Sequence, residues 1–565
     1  MKLFCLLCCL LMSLLPTHAQ TDDHRVSHLF VLGGELSNSA ATSIADIDEV
    51  MPRMKALGLN TVLVPVCWDL TEPEEGRYDF TLVDRVIDRA RDCQLQVVLL
   101  WFGVWKNSMS CYAPAWFKQD MKRFPRAMTR TGKPLEIASA FSEEVFRADC
   151  RVFTKLMEHL ATKDQGIGTV SMIQIENEIG MLEDARDHSP LAEKAYRQAV
   201  PEALLKALKL TKKGSWEQVF GSDDYADEKF MAWHYACYVE RLAQVARRIY
   251  DLPLFVNAAM NSRGRRPGEY PSAGPLAHLA GIWKCGAPSV DLLAPDIYDT
   301  GFKAWAAQYE MPGNRLFIPE SRCCINSGVR ALYAFGEHRA LGFSPFAIDQ
   351  APADETDHIT KAYDLLRQLK PYLSNVGKQG TKKNDALSSK GRASQSSVAY
   401  KTWGLLFDQE DKERIIEDGA TVLTCRHNFT LPWDPRATDG SVWPEGGAVI
   451  VKLRTNEYLI AGNGVVVDFK TKTEKEQEEQ KRLGEDGFVL ADQHQDSPSS
   501  ATAHRSSAAF RGKRCGILSV DQVSILPDGT LQYIRRDNGD QDHQGRHARI
   551  GVGEYKILHV RLYEY

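Results

Sequence analysis

Short apolar runs alternate with stretches of helical periodicity from about residue 28 to residue 372. The apolar runs include residues 61–66, 96–101, 169–175, 253–256 and 289–294, and the helical stretches include residues 44–57 and 145–161. Repeated strand–helix alternation predicts a parallel sheet, because parallel strands need a crossover connection. Eight such runs predict an α/β fold, a (β/α)8 TIM barrel. A doubly wound open sheet is disfavoured, since no predicted strand is followed by Gly-x-Gly-x-x-Gly.

The rest of the chain has a different composition and a different hydrophobic pattern. Residues 373–397 are rich in Ser, Gly and Lys, which predicts a linker. Residues 398–565 contain short β-type runs separated by turn signals such as Pro527-Asp528-Gly529. We therefore expect a catalytic barrel over residues 28–372 and a smaller all-β, sandwich-like domain over residues 398–565.

The N-terminus has the pattern of a signal peptide over residues 1–19. Lys2 precedes an apolar stretch at residues 3–15, and Thr17-His18-Ala19 offers a cleavage site. The apolar stretch is too short to cross a bilayer, which takes about 20 residues. We expect an exported protein, periplasmic or extracellular, with no membrane anchor after cleavage.

Charge and cysteine spacing narrow the choice of partners. The formal net charge is −5 and no long basic run is present, which argues against nucleic acid. No Cys or His group has the spacing of a zinc site, so we expect neither a metal nor a cofactor. A carbohydrate substrate is the expected partner, because of the carboxylates at two strand ends, and homo-oligomerisation is left open.

Two carboxylates follow apolar runs that are predicted to be barrel strands. Glu178 ends the fourth run, within Gln174-Ile-Glu-Asn-Glu-Ile-Gly180, and Glu320 ends the seventh, within Ile318-Pro-Glu-Ser321. Active sites of such barrels form at the carboxyl ends of the strands. Two facing carboxylates about 5 Å apart are what a retaining glycosidase uses. The sequence therefore predicts Glu320 as nucleophile and Glu178 as general acid/base.

A purely structural role is the alternative for each of these acidic residues. A lone Glu at a strand end often caps a helix or pairs with an Arg, but two in one barrel, one preceded by Asn177, favour catalysis. For Glu176 we favour a buried hydrogen-bonding role, on the same side of its strand as Glu178 but one layer deeper.

The heptapeptide at 174–180 resembles the Gln-x-Glu-Asn-Glu-Tyr-Gly signature of glycoside hydrolase family 35, the β-galactosidases. Residues 51–62, Trp68 and Glu72-Pro73 resemble the second barrel unit of that family, and Pro114-Ala115-Trp116 resembles the third. The resemblance covers roughly residues 28–350. It implies a β-galactosidase barrel in which Glu178 is the acid/base and Asn177 contacts the sugar 2-hydroxyl.

The chain departs from the family pattern after the first and third strands. Ser37-Asn38, preceded by Glu35, replaces His-Tyr, and Trp105-Lys106-Asn107 replaces Cys-Ala-Glu. This is similar to a bacterial branch with a β-rich C-terminal domain that trims galactose from polysaccharide side chains. The candidate substrate-binding residues, chosen for hydrogen bonding or for stacking on sugar faces, are Glu35, Lys106, Asn107, Asn177, Trp68, Trp105 and Tyr298.

These observations predict an exported, exo-acting, retaining β-galactosidase that removes terminal β-D-galactosyl residues from oligo- or polysaccharides. The replaced contacts keep a second hypothesis open, another retaining glycosidase on the same barrel, such as an endo-glycanase or a β-glucosidase. A non-catalytic carbohydrate-binding protein is a third hypothesis, against which the two intact carboxylates argue.

Overall fold

The computed structural model describes residues 25–261, 264–374, 400–431, 434–478, 512–537 and 547–565. The predicted signal peptide and almost all of the predicted linker lie outside these residues. The chain folds into a barrel of parallel strands surrounded by helices, followed by two packed antiparallel sheets.

The strands are β1 Val31–Glu35, β2 Thr61–Cys67, β3 Gln96–Lys106, β4 Arg126–Met128, β5 Pro134–Ala138, β6 Val170–Asn177, β7 Leu254–Ala259, β8 Leu292–Ile297, β9 Phe317–Ile318, β10 Glu320–Ser321, β11 Gly342–Phe343, β12 Lys401–Phe407, β13 Glu413–Asp418, β14 Thr421–His427, β15 Gly446–Arg454, β16 Glu457–Asn463, β17 Val465–Thr471, β18 Cys515–Ile525, β19 Leu531–Arg536, β20 His547–Ile550 and β21 Lys556–Glu564.

The α-helices are α1 Ile44–Ala56, α2 Trp68–Thr71, α3 Thr81–Asp92, α4 Ala115–Gln119, α5 Glu143–Asp164, α6 Pro190–Tyr196, α7 Glu202–Ala207, α8 Trp216–Phe220, α9 Asp224–Ile249, α10 Ala280–Gly286, α11 Phe302–Tyr309, α12 Ser327–His338, α13 Ala353–Leu373 and α14 Lys472–Glu478. Short 3₁₀ helices span Ala277–Leu279, Asn428–Thr430 and Pro435–Ala437. Within the described residues, no helix is both long and apolar enough to span a membrane.

The barrel closes through its seventh strand, which is split in two. β10 pairs with β8 and β9 pairs with β11, which in turn pairs with β1. Pro319 separates the two halves and has no backbone N–H to donate to a neighbouring strand. Counted as one, β9 and β10 complete eight parallel strands, so the predicted (β/α)8 barrel is confirmed.

Several barrel strands run further than the sequence predicts. β3 was expected to end at Trp101 but continues to Lys106, with an irregularity against β6 in between. β7 and β8 likewise extend to Ala259 and Ile297. The added residues include the polar side chains Asn257 and Asp296 and, in β3, an irregular stretch, so the regular apolar pattern stops before the strand does. The strand ends therefore carry more polar groups than predicted.

The C-terminal region is an antiparallel sandwich, as predicted. A six-stranded sheet, in the order β12-β15-β16-β21-β18-β19, covers a four-stranded sheet, in the order β13-β14-β17-β20. One face of the larger sheet shares an apolar core with the smaller sheet. Its other face contributes Leu406, Val449 and Leu459 to the core that surrounds the barrel. The two regions are thus joined by a continuous hydrophobic core.

Helix α12, which follows the seventh barrel strand, lies against β12 of the sandwich. Glu337 accepts hydrogen bonds from both terminal nitrogens of Arg414, at 2.8 and 3.0 Å, and from the backbone N–H of Gly404 at 3.0 Å. A Cβ added at Gly404 would lie 2.5 Å from the carbonyl oxygen of Tyr333 and 2.6 Å from the nitrogen of Glu337. Only glycine allows this approach.

Gly404→Ala is therefore expected to separate α12 from the sandwich and to destabilise the protein by about 1–3 kcal/mol, the usual cost of overpacking. Thermal unfolding measures the effect as a lower Tm. Gly281→Ala is the matched control, because the added methyl group would meet its nearest neighbour, Leu208 Cδ2, at an ordinary 3.4 Å. Equal melting temperatures for both variants would contradict the close contact.

Candidate active site

The carboxyl ends of β6 and of the seventh strand place the two predicted carboxylates in the barrel mouth. Glu178 follows β6 directly, and Glu320 begins β10. One carboxyl oxygen of each, together with one of Asp296, lie within 4.8 Å of one another. All three side chains are buried. The structure therefore brings Glu178 and Glu320 together and adds a third carboxyl that sequence reasoning missed.

An unusual backbone turns the end of β6. Glu176 and Glu178 have φ values of +59° and +46°, in the left-handed region that non-glycine residues rarely adopt. Asn257 accepts a hydrogen bond from the N–H of Glu178 at 2.9 Å, and Ser108 donates its N–H and its hydroxyl to the Glu178 carbonyl. These contacts stabilise a conformation of the kind that is concentrated at functional sites.

The two left-handed residues change the alternation expected of a regular strand. Glu176 does not share a side with Glu178 but faces the helix layer, where it is hydrogen bonded to Asp149 of α5. It also accepts a hydrogen bond from the N–H of Trp105 at 2.7 Å. Burial, and then the charge of Asp149, raise the pKa of Glu176 well above its usual range. Glu176 is thus buried and hydrogen bonded, as expected, but on the opposite side.

Three donors surround the Glu320 carboxylate. The Tyr298 hydroxyl donates to Oε2 at 2.7 Å, and the side-chain amides of Asn177 and Asn257 donate to Oε1 at 3.1 Å each. Burial, and then the charge of Glu320, raise the pKa of Tyr298 far above its usual range, so that its hydroxyl stays a donor. These contacts hold the carboxylate in one orientation and suit its ionised form.

Glu178 has a different environment, with fewer donors and a neighbouring acid. The Asn107 side-chain amide donates to its Oε2, and its carboxyl is hydrogen bonded to that of Asp296. Burial, and then the charge of Glu320, raise the pKa of Glu178 to about 7. The charge of Lys106 opposes this rise and lowers the pKa of Glu178. A carboxyl with this pKa is protonated below about pH 7, which a general acid requires.

Glu35 and Lys106 complete the charged groups of the mouth. Neither carboxyl oxygen of Glu35 has a hydrogen-bond partner among the described residues, although the side chain is fully buried. Burial, and then the charge of Glu320, raise the pKa of Glu35 well above its usual range. The Lys106 ammonium lies 4.8 Å from the centre of the Phe102 ring, on the inner face of the barrel.

The prediction that Trp68 and Trp105 stack on a sugar is wrong. Trp105 is fully buried and packs edge-on against Tyr235 and Tyr238 of α9, at 5.4 and 4.9 Å between ring centres. Trp68 is also fully buried, beside Phe117, and donates its indole N–H to Glu72 at 2.9 Å. Both rings lie in the layer between the strands and the helices, and neither offers a face to the barrel mouth.

Asn257 and Asp296 are functional candidates that sequence reasoning missed. Both lie at the carboxyl ends of barrel strands, β7 and β8, and their side chains are hydrogen bonded at 2.8 Å. Their position at strand ends is the same signal that predicts Glu178 and Glu320. They were missed because the predicted strands ended at residues 256 and 294, one and two positions too early.

Three carboxylates this close are also a group that could hold a metal ion in the described part of the chain. Buried acidic groups occur without metals, and the hydrogen bonds from Asn177, Asn257 and Tyr298 already occupy Glu320. The expectation of a metal-free site stays a prediction.

Residues 41–229, which contain Glu178, match the glycoside hydrolase family 42 model described as "Beta-galactosidase". Residues 359–549 match a model described as a domain of unknown function, DUF5597. The chain thus carries a glycoside hydrolase segment of the β-galactosidase type. The assignment to family 35 is not confirmed by these matches.

Similar proteins include the human "Beta-galactosidase-1-like protein 3", which is 29% identical over 163 residues. That match covers 27% of this chain and 22% of the human protein. Solved β-galactosidases from the psychrophilic Marinomonas ef1 and from Bacillus circulans sp. alkalophilus are each 16% identical, with TM-scores of 0.44. They cover 60% and 61% of this chain, and the chain covers 60% and 57% of theirs.

Proposed function

We propose that the protein is an exo-acting, retaining β-galactosidase that releases terminal β-D-galactosyl residues by double displacement. The observation that carries the proposal is the approach of the Glu178 and Glu320 carboxyl oxygens to within 4.8 Å. Retaining enzymes hold their two carboxyl groups about 5 Å apart, whereas inverting enzymes leave room for a water molecule between them.

In the first step Glu320 attacks the anomeric carbon. The glycosidic C–O bond breaks, and the leaving oxygen takes the proton of Glu178, which is available because burial and Glu320 raise the pKa of Glu178 to about 7. The new ester neutralises Glu320. Its charge no longer opposes ionisation of Glu178, which now acts as the base that deprotonates water in the second step.

Unpaired polar atoms around the two carboxylates support a sugar as the ligand. Both carboxyl oxygens of Glu35 and Oδ1 of Asn177 are buried and have no hydrogen-bond partner among the described residues. Buried polar groups normally have partners, and sugar hydroxyls would supply them. Asn177 already orients Glu320 through its Nδ2, so its free Oδ1 suits the 2-hydroxyl contact that the family resemblance implies.

The exo mode of action is supported by the enclosure of the mouth. Glu178 is 6% exposed and Glu320 is 3% exposed. A pocket that shields its carboxylates this strongly suits one terminal residue better than the interior of a long chain.

Hydrolysis of nitrophenyl β-glycosides tests the proposal. We expect the galactoside to have the highest kcat/KM against the glucoside, arabinoside and fucoside, and proton NMR to show the β-anomer as the first product. A preference for the glucoside would favour the β-glucosidase hypothesis, and an α-anomer would contradict retention. Release of internal fragments from a polysaccharide would favour an endo-glycanase, and no hydrolysis of any substrate would favour a binding protein.

A further inference from the structure

A third carboxyl lies in direct contact with the acid/base residue. Asp296, at the end of β8, is hydrogen bonded to the carboxyl of Glu178. The Asn257 amide nitrogen donates to Asp296 Oδ2 at 2.8 Å and to Glu320 Oε1 at 3.1 Å. One asparagine thus orients both Asp296 and the nucleophile, and Asp296 bridges to Glu178.

The surroundings of Asp296 make its ionisation costly. Its side chain is 2% exposed, and the carboxyls of Glu320, Glu178 and Glu35 all act on it. The titratable groups that also face the pair are Tyr298, Tyr309 and Lys106. Burial, and then the charge of Glu320, raise the pKa of Asp296 well above its usual range. Two buried carboxyls in contact cannot both ionise easily, so a proton is retained between them.

We propose that Glu178 and Asp296 form a carboxylic acid pair that shares one proton, and that Asp296 is a positioning residue that keeps this proton available to Glu178. The proposal rests on the proposed glycosidase function and adds a third carboxyl to it. In the pair, the hydrogen bond between the two carboxyls carries one proton and one negative charge.

The shared proton moves in two steps when the glycosidic bond breaks. It passes from an Asp296 oxygen to Glu178, and from Glu178 to the leaving oxygen, which also receives the electron pair of the broken C–O bond. Both acids are then ionised, at the moment when the new ester bond has removed the charge of Glu320. Their mutual repulsion makes Glu178 a stronger base, so it takes a proton from the attacking water and restores the pair, while the water oxygen bonds to the anomeric carbon and the ester bond breaks to release the Glu320 carboxylate.

Asp296→Asn tests the pair, because the amide keeps the size and can donate an N–H in place of the acid O–H, but it has no proton to give up. In the wild-type enzyme, activity persists until the pair loses its shared proton, which the two adjoining carboxyls hold to a higher pH. In the variant Glu178 has no second carboxyl to share the proton with, so it loses the proton at a lower pH. We expect the basic limb of kcat/KM for a galactosyl disaccharide to move to lower pH by about one unit or more, with the acidic limb unchanged.

Glu240→Gln is the matched control. Glu240 is a largely buried acid with a pKa raised by burial, but it is hydrogen bonded to Ser289, before β8, at the opposite end of the barrel. We expect its pH profile to match that of the wild type. A merely structural role for Asp296 would lower kcat at every pH and leave both limbs in place, and that result would overturn the proposal.

Infrared difference spectra between the wild type and Asp296→Asn, each carrying ¹³C-labelled aspartate or glutamate, give a second measurement, which needs no substrate. The bands of other buried acids, such as Glu35 and Glu176, are present in both proteins and cancel in the difference. We expect a buried carboxylic acid band above about pH 7 in the wild type that the variant lacks, because Glu178 alone would lose its proton there. Absence of the difference band from both labelled samples would overturn the pair. If the band persists but no glycoside is hydrolysed, the proposed function fails and the pair stands.

Discussion

Glu320→Gln is expected to lower kcat by about four orders of magnitude, or roughly 5 kcal/mol of barrier, while the fold survives. Glutamine keeps the shape, and its Oε1 can still accept from Asn177 and Asn257 while its Nε2 donates to the Tyr298 hydroxyl, but it is a poor nucleophile for the anomeric carbon. Steady-state kinetics on a nitrophenyl β-galactoside measure the loss, and thermal unfolding checks the fold. A folded variant with a near-normal kcat would contradict the role of Glu320.

A chemical trap gives an independent control for this prediction. A fluorinated galactoside that forms a slowly hydrolysed ester should label the peptide that contains Glu320 in the wild-type enzyme. Glu240→Gln should label as the wild type does, because Glu240 lies at the other end of the barrel. Label on any other carboxyl group, Asp296 included, would show that this group and not Glu320 is the nucleophile.

Glu178→Ala is expected to have an effect that depends on the leaving group. A nitrophenolate leaves without a proton, so formation of the glycosyl-enzyme should be little impaired. A galactose linked to another sugar needs the proton, and its turnover should fall by about 10²–10⁴-fold more. Comparison of kcat/KM on the two substrate types measures the difference. Equal losses on both would argue against general acid catalysis by Glu178.

Rescue by azide distinguishes the role of Glu178 from that of Glu176 in the Glu-Asn-Glu sequence. Azide is an anion that needs no deprotonation, so it should rescue Glu178→Ala on the nitrophenyl substrate and give β-galactosyl azide after two inversions. Glu176→Ala should show no rescue, since Glu176 contacts Asp149 and the Trp105 N–H rather than the mouth. If azide rescued only Glu176→Ala, Glu176 and not Glu178 would be the acid/base residue. An α-galactosyl azide product would contradict retention.

The pKa of Glu178 gives a pH window with a definite sign. Burial and the charge of Glu320 raise this pKa to about 7, so the acid form is present below about pH 7 and is lost as the pH rises through that value. The kcat/KM on substrates with poor leaving groups should therefore fall as the pH rises and the protonated form of Glu178 is lost. If Asp296 shares the proton, the basic limb extends further, and for this reason Asp296→Asn should shorten it.

The barrel and the positions of its two candidate catalytic carboxylates follow from the residue pattern alone. Apolar periodicity marks strands and helices because side-chain direction repeats every two residues in a strand and every 3.6 in a helix. Closure of a parallel barrel then brings strand ends such as Glu178 and Glu320 to one mouth. Tyr298 beside Glu320, and Glu35 and Lys106 in the mouth, follow from the same reasoning.

Which side chains meet depends on the three-dimensional fold. The left-handed backbone at Glu176 and Glu178 is not encoded by hydrophobic pattern, yet it directs the first side chain outward and the second into the mouth. Trp105 was predicted in a binding loop, but β3 continues through it and directs its ring towards α9. Asp296 reaches Glu178 only because β8 extends to Ile297 and the barrel closes. Such contacts join residues far apart in the chain, and local periodicity carries no information about them.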